Sequence, residues 1–478
     1  MANALIVGSG PNGLAAAHVL ASAGYFVHLV ERSDHLGGGA RSSTLPETGL
    51  LIDTCAAVHP MAVGSEFLQA LKFTEAEVQW KRADIDCAHP LDDGRAALIR
   101  TSIRATAAGL GVDERRWRAM FEASAQNFAQ LADSIMGPLA RVPKHPITLA
   151  RFGVTCLPTP AMNISLFKTE TAKALYAGVV AHAFQPFNRP LVGAIGNGII
   201  VGGHAGGWPV VAGGTGRLTA AILARLRALG VTFETGTTVK SFEQVRGFDI
   251  VMYDLHPSAV AKIFDGVAPA GAIQRFRGFK RGPAAFKLDL AVADGIPWTN
   301  EDVRRAGTVH LGGSTREIAN SERAITRGQM PDRPFVLIGQ QYLADPQRAD
   351  GQLKPVYAYA HVPHGFRGDA TDAILGQIER FAPGARERVV ELQSTSATAM
   401  AAKNLNFIGG DILTGAKTPL QLAAGPRLTL RPYDTGLRGH FICSAATPPG
   451  PGVHGMSGFH AAHRAIQEHQ RRPDRRVL

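Results

Sequence analysis
Ala4-Leu5-Ile6-Val7 is an unbroken apolar run that stops at glycine, the pattern of a strand buried on both faces. From Gly10 to Ala23 the chain is rich in alanine and leucine with no breaker after Gly13, which predicts a helix closed by Gly24. Tyr25 to Val30 predict a second strand that ends at Glu31. Further on, "LLIDTCAAVHPMAVGSEFLQAL" starts strand-like and turns helical near Ser65, and Val78 to Pro90 predict strands. Arg115 to Met136 predict one long helix, Pro138 to Pro160 an interrupted connection, and Ser165 to Phe184 another helix. "VVAGGTGRLTAAILARLRALG" is a glycine turn feeding an amphipathic helix, with Leu218, Ile222, Leu226 and Leu229 on one face. "VTFETGTTVKSFE" then predicts two strands, and Phe248 to Pro257 a further apolar one. Between Arg277 and about Leu413, "AAFKLDLAV", "PFVLIGQQYL" and "VYAYAHVP" predict a sheet, followed by the helix "DAILGQIERFAP". His440 to Cys443 predict a buried strand, Gly450 to Gly458 a glycine-rich turn, and Phe459 onward a helix. No internal repeat interrupts this α/β pattern.

The first forty residues carry the clearest chemistry. Strand, glycine turn, helix and strand make a βαβ unit. Gly8 permits the tight turn, Gly10 lets backbone approach a pyrophosphate, and Gly13 allows close helix–strand packing. The helix start offers unpaired N–H groups and a positive dipole end to phosphate. Glu31 stands roughly 20 residues on, where a carboxylate accepts from ribose hydroxyls and repels a 2′-phosphate. A dinucleotide other than NADP is the expected ligand. The second glycine turn, Val211 to Gly216, lacks an acid-bearing sequel of its own.

Composition narrows the class. A chain of 478 residues exceeds what one core usually supports, so two domains are expected. The net charge of +11 favours anionic ligands or an anionic membrane surface. Basic residues are scattered, apart from the tail "QRRPDRRVL", which is expected to be solvated, and no nucleic-acid motif accompanies them. Cys55, Cys87, Cys156 and Cys443 show no C-x-x-C spacing, which predicts reduced thiols, no metal site and a cytoplasmic protein, with peripheral membrane attachment left open. There is no secretion signal and no apolar run of about 18 residues that would span a bilayer.

A second glycine cluster, "ERSDHLGGGARSST", follows Glu31 directly. Together with "DTCAAVHPMA", "GTVHLGGSTREIANSERA", "PFVLIGQQYLADPQRA", "NFIGGDI" and "PPGPGVHGMSGFHAA", it makes the chain from Ala2 to Glu468 resemble the phytoene-desaturase-like branch of the FAD-linked amine-oxidase superfamily. The resemblance is to the subgroup of pyridine nucleotide-disulphide oxidoreductase-domain proteins in particular. It implies a Rossmann-like FAD-binding domain (1–80, 205–276 and 425–478) interleaved with a mixed-sheet plus helical substrate domain (81–204 and 277–424). It implies noncovalent FAD held by Gly8, Gly10, Pro11, Asn12, Gly13, Glu31, Arg32, Gly38, Gly39, Ala40 and Arg41, with Val239 at the adenine and Ser444, Gly452 and Val453 near the flavin. Pro451 stands where the family usually has glycine.

The activity the resemblance implies is dehydrogenation of a polyene-, isoprenoid- or lipid-like small molecule, with oxygen or a quinone as electron acceptor. Isomerase, saturase and flavin-stabilised interaction roles remain as alternatives with the same cofactor site. His59 and His454 are the candidate catalytic residues, each equally able to hydrogen-bond backbone or flavin. His361 and His364 read as structural.

Overall fold
The computed structural model describes residues 2–139, 141–426 and 429–471. All but Gln470 and Arg471 of the basic tail lie outside the described residues. Strand Asn3–Val7 is the centre of a five-stranded parallel sheet. Ile250–Tyr253 and then His440–Ile442 flank it on one side, Phe26–Val30 and then Thr232–Glu234 on the other. Ala4 and Ile6 enter one core beside Leu14 and Ala17 of helix Pro11–Ser22. Leu5 and Val7 enter the opposite core with Val260 and Phe264. A strand covered on both faces needs no polar alternation, and that is why it reads as continuous apolar sequence.

The second sheet is mixed and has seven strands. Its order is Val389–Thr395, Ala284–Ala293, Leu353–Val362, Val336–Gly339, Ala306–Leu311, Ile85–Pro90 and Ala96–Ile99. Only the pairing of Ala306–Leu311 with Ile85–Pro90 is parallel. Period-two alternation sorts its side chains. Leu288, Leu290, Val356, Ala358 and Ala360 pack with Ile374, Ile378 and Phe381 of helix Thr371–Phe381. The intervening Lys287, Asp289, Tyr357, Tyr359 and His361 point to the other face, where His361 stacks on Phe184 beyond helix Glu170–Val180. The whole is an α/β fold, a Rossmann-like sheet joined to a mixed sheet and a helical layer, as predicted.

Four local expectations are corrected. Only Thr232–Glu234 forms a strand between 231 and 243. That strand is the sheet edge, and Gly236 (φ +71°) turns the chain back so that Thr237 N–H donates to the Glu31 carbonyl, leaving no partner for a second strand. The helix expected over 115–136 divides into Glu114–Gln126 and Phe128–Ile135 at Asn127, whose side-chain amide donates to the Ala123 carbonyl. The proline-rich connection contains a true helix, Pro146–Cys156, because Pro146 sits in the first turn and Pro158 beyond the last. The final helix starts at Met456 rather than Phe459, since Gly455 takes the left-handed conformation just before it.

Candidate functional site
The end of strand Asn3–Val7 and the start of helix Pro11–Ser22 form a tight cradle. Gly8 has φ +99°, and a Cβ there would stand 2.8 Å from the Asp254 carbonyl oxygen. On Gly10 a Cβ would strike the Asp254 carboxylate, and on Gly13 it would overlap the Gly8 carbonyl oxygen. Gly10 is the helix N-cap without any side-chain cap, and Pro11 follows in the first turn. Asn12 is buried against the C-terminal helix Met456–Gln470: its side-chain oxygen accepts from Gly458 N–H at 3.4 Å. The N-termini of both helices therefore converge.

The second glycine cluster closes on the first. A Cβ on Gly38 would lie 2.8 Å from the Gly10 Cα. Ser9 joins the two turns, its hydroxyl donating to Glu31 at 2.7 Å while accepting from Gly37 N–H at 3.0 Å. Glu31 also accepts from Ser9 N–H and Ser33 N–H, both at 2.9 Å. Arg41 donates to the Gly38 carbonyl at 2.9 Å and to the Ser33 hydroxyl at 3.3 Å. Arg32 points elsewhere: it donates to the Ala402 carbonyl at the end of helix Ala397–Lys403. The Ala40 carbonyl accepts from Thr219, and Gly39 packs beside Phe407 and Cys55.

Among the C-terminal candidates, Val453 and His454 line one small space with Pro11 and Ala40. Gly452 has φ +145°, and Ser444 is buried, its carbonyl accepting from Thr447. Val239 is partly buried against the apolar cluster that holds Leu5 and Val7.

Both candidate histidines are buried and held neutral, their pKa values pushed down to about 4 by desolvation. The Thr215 hydroxyl donates to the Ala56 carbonyl, so at 3.0 Å it accepts from His59 Nε2–H. His454 Nδ1 accepts from Met456 N–H at 3.1 Å and thereby caps the C-terminal helix. Each ring thus serves a neighbouring structural group.

Long-range contacts bring in further residues. Asp254, at the end of strand Ile250–Tyr253, accepts from Gly13 N–H at 3.0 Å, and burial raises its pKa from 3.8 to about 7, with the Glu31 charge adding to the effect. Asp53 gathers Ser42 Oγ, Thr215 N–H and the buried Arg348 at 2.6–2.7 Å. Lys287 donates to the Asp53 carbonyl and both oxygens of Asp289, and its ammonium lies over the Tyr357 ring. Farther along the same sheet face, His361 Nδ1 and Glu322 Oε1 are 2.6 Å apart, both residues fully buried. Desolvation raises the Glu322 carboxyl and pushes His361 down to about 3, so burial favours the neutral pair. The other nitrogen of His361 and the other oxygen of Glu322 have no hydrogen-bond partner among the described residues. Asp254 carries a signal in sequence, an acid terminating an apolar strand. The pairing of Glu322 with His361 carries none.

The second glycine turn is spoken for. Gly213 N–H donates to Asp345, Thr215 N–H to Asp53 and Gly216 N–H to Ser42. Among the described residues, no group of three or more His, Cys, Asp or Glu is placed to hold a metal, and no helix is long and apolar enough to cross a membrane.

Residues 6–71, which hold both glycine clusters and Glu31, match the NAD(P)-binding Rossmann-like domain family. No curated protein matches the sequence. Solved structures do match in shape over nearly the whole chain. An oxidoreductase from Methanosarcina mazei has TM-score 0.63 at 15% identity, covering 97% of this chain and 100% of its own. A putrescine oxidase variant has TM-score 0.62 at 16% identity, covering 97% and 98%. Cyclohexylamine oxidase from Brevibacterium oxydans has TM-score 0.56 at 14% identity, covering 98% and 100%. The fold is that of the flavin amine oxidases. At such identities the likeness is one of architecture.

Proposed function
We propose that this chain is an FAD-dependent oxidoreductase that dehydrogenates a largely apolar, polyene-, isoprenoid- or lipid-like substrate. The observation that carries the reading is the meeting of the two glycine turns, Gly38 on Gly10, at the converging N-termini of helices Pro11–Ser22 and Met456–Gln470. The residues suit the cofactor. The close backbone approaches leave no room for side chains, and Gly10 itself brings no capping side chain to the helix start, where Asp254 takes the Gly13 N–H. Glu31 accepts three hydrogen bonds where a carboxylate takes about four, which leaves capacity for a ribose hydroxyl.

FAD, when bound, supplies the two-electron acceptor for hydride transfer. The chain supplies position and environment. The first helix start would hold the pyrophosphate, and Arg41 braces the second turn through the Gly38 carbonyl. The start of helix Met456–Gln470, held by His454, would lend its dipole to negative charge on a bound flavin. Tyr357 and Tyr359, their rings parallel at 6.3 Å, form an aromatic pair on the sheet face, Tyr357 buried and Tyr359 half-buried. An aromatic pair of this kind supports the apolar-substrate reading.

Acid precipitation of purified protein tests the cofactor: a yellow supernatant with the mass of FAD is expected. Colourless protein that does not take up added FAD overturns the reading. Anaerobic mixing of the flavin-loaded protein with apolar alkenes, amines and alcohols, following flavin bleaching, then assigns the substrate class.

A further inference from the structure
The helical layer carries an apolar surface that the redox reading does not use. Helix Pro146–Cys156 buries Phe152 and Cys156, yet its opposite face is also apolar, with Ile147 and Val154 each 70% exposed. Leu157 (65%), Met162 (59%) and Leu166 (45%) extend the same exposed stretch through the next helix, Pro160–Ser165. A surface helix normally turns polar residues outward, so contiguous exposed apolar side chains mark a contact surface.

Charge selects the partner. Between Leu139 and Thr169 the sequence holds Arg141, Lys144, Arg151 and Lys168, and no aspartate or glutamate. Asp133 pairs with Arg141 and Lys144, whereas Arg151 and Lys168 have no ion pair among the described residues. On the flank of helix Pro160–Ser165, beside Ile164 and Ser165, opens a cleft of about 610 Å³. Lys173, Arg316 and Arg323 stand around it, again without ion pairs among the described residues, and Glu170 there is engaged by Thr315 N–H. A two-fold pairing of this face with a second copy would bring the unneutralised Arg151 and Lys168 of each copy together.

We infer that the 147–166 face docks on an anionic lipid bilayer: Ile147, Val154, Leu157, Met162 and Leu166 enter the acyl boundary, and the cationic cleft receives an anionic headgroup. The combination of apolar insertion and basic flanks is that of an interfacial helix. This inference is independent of the cofactor and of the reaction.

Co-sedimentation of the full chain with phosphatidylcholine vesicles, with and without phosphatidylglycerol, tests it. The protein should bind the anionic vesicles, less at high salt. Ile147→Ser/Val154→Ser/Leu157→Ser should lower the partition coefficient by at least about tenfold, given the apolar area withdrawn. Val390→Ser, another exposed apolar site on strand Val389–Thr395, should leave it unchanged. Leu157→Trp gives a second readout, an emission blue shift on adding anionic vesicles beyond any shown by wild type. Equal binding of wild type and the triple variant, no difference between the two lipids, or no such shift overturns the proposal. So does a wild-type dimer that the triple variant abolishes, since that assigns the face to a second copy.

Discussion

Gly38 lies so close to Gly10 that a methyl group on the first would stand 2.8 Å from the Cα of the second. This contact yields the sharpest steric prediction. Gly38 has φ +57°, and Gly49, at φ +71°, has nothing within 4 Å of its Cβ position. Gly49→Ala should therefore lose only the left-handed penalty, about 1–2 kcal/mol. Gly38→Ala should lose that and about 1–3 kcal/mol of overlap as well, with a lower flavin content. Urea melts and the ratio of flavin to protein absorbance compare the two.

Glu31→Ala removes the acceptor for Ser9 and, on the proposed reading, for the ribose. FAD retention should weaken by about 1.5–3 kcal/mol, the scale of charge-assisted hydrogen bonds. Fluorescence titration of the flavin-free protein with FAD measures it. Unchanged affinity would place the ribose elsewhere.

Asp254 makes the cradle sensitive to pH. Its pKa rises from 3.8 to about 7 on folding, so the fold favours its protonated form. That stability is fully present below about 4 and is lost as pH climbs through 7. Asp254→Asn keeps an acceptor for Gly13 N–H and does not ionise. Its melting temperature should gain on wild type between pH 5 and pH 8; a constant difference across that range would refute the assignment.

The buried histidines act in the opposite direction. His59 and His454 are depressed to about 4, and His182 and His361 to about 3, by desolvation. Stability from a base held neutral is present above its ordinary pKa of 6.5 and drains away as pH falls toward the depressed value. Urea midpoints should drop steeply from pH 7 to pH 5, and replacing His454 with glutamine should flatten part of that slope.

Reduction by NADH or NADPH should be slow. The amides of the second glycine turn are already satisfied by Asp345, Asp53 and Ser42, which leaves a single nucleotide cradle among the described residues. Stopped-flow mixing under argon checks this, and full flavin reduction within milliseconds would favour a saturase.

What was legible in the sequence was local. Strand Asn3–Val7, helix Pro11–Ser22 and Glu31 follow from periodicity and spacing over a few dozen residues. The strand expected near Val239 failed because pairing depends on what lies beside an edge, which no local pattern records. Asn127 broke a helix whose apolar periodicity continued across it. Asp254, the Asp53–Arg348 pair and the Glu322–His361 pair unite residues far apart in the chain, so burial and partners became visible only in three dimensions.

The position of strand His440–Ile442 bears on how the protein is made. It pairs with Ile250–Tyr253, which in turn pairs with Asn3–Val7, and Gly458 rests on Asn12 just beyond it. During synthesis the first βαβ unit leaves the ribosome long before these partners exist. The nascent chain must hold that apolar unit without its final neighbours until translation is almost finished. A chain stopped short of residue 440 would keep both glycine motifs and Glu31, yet expose the edge of Ile250–Tyr253 and be handled by the cell as an unfinished product.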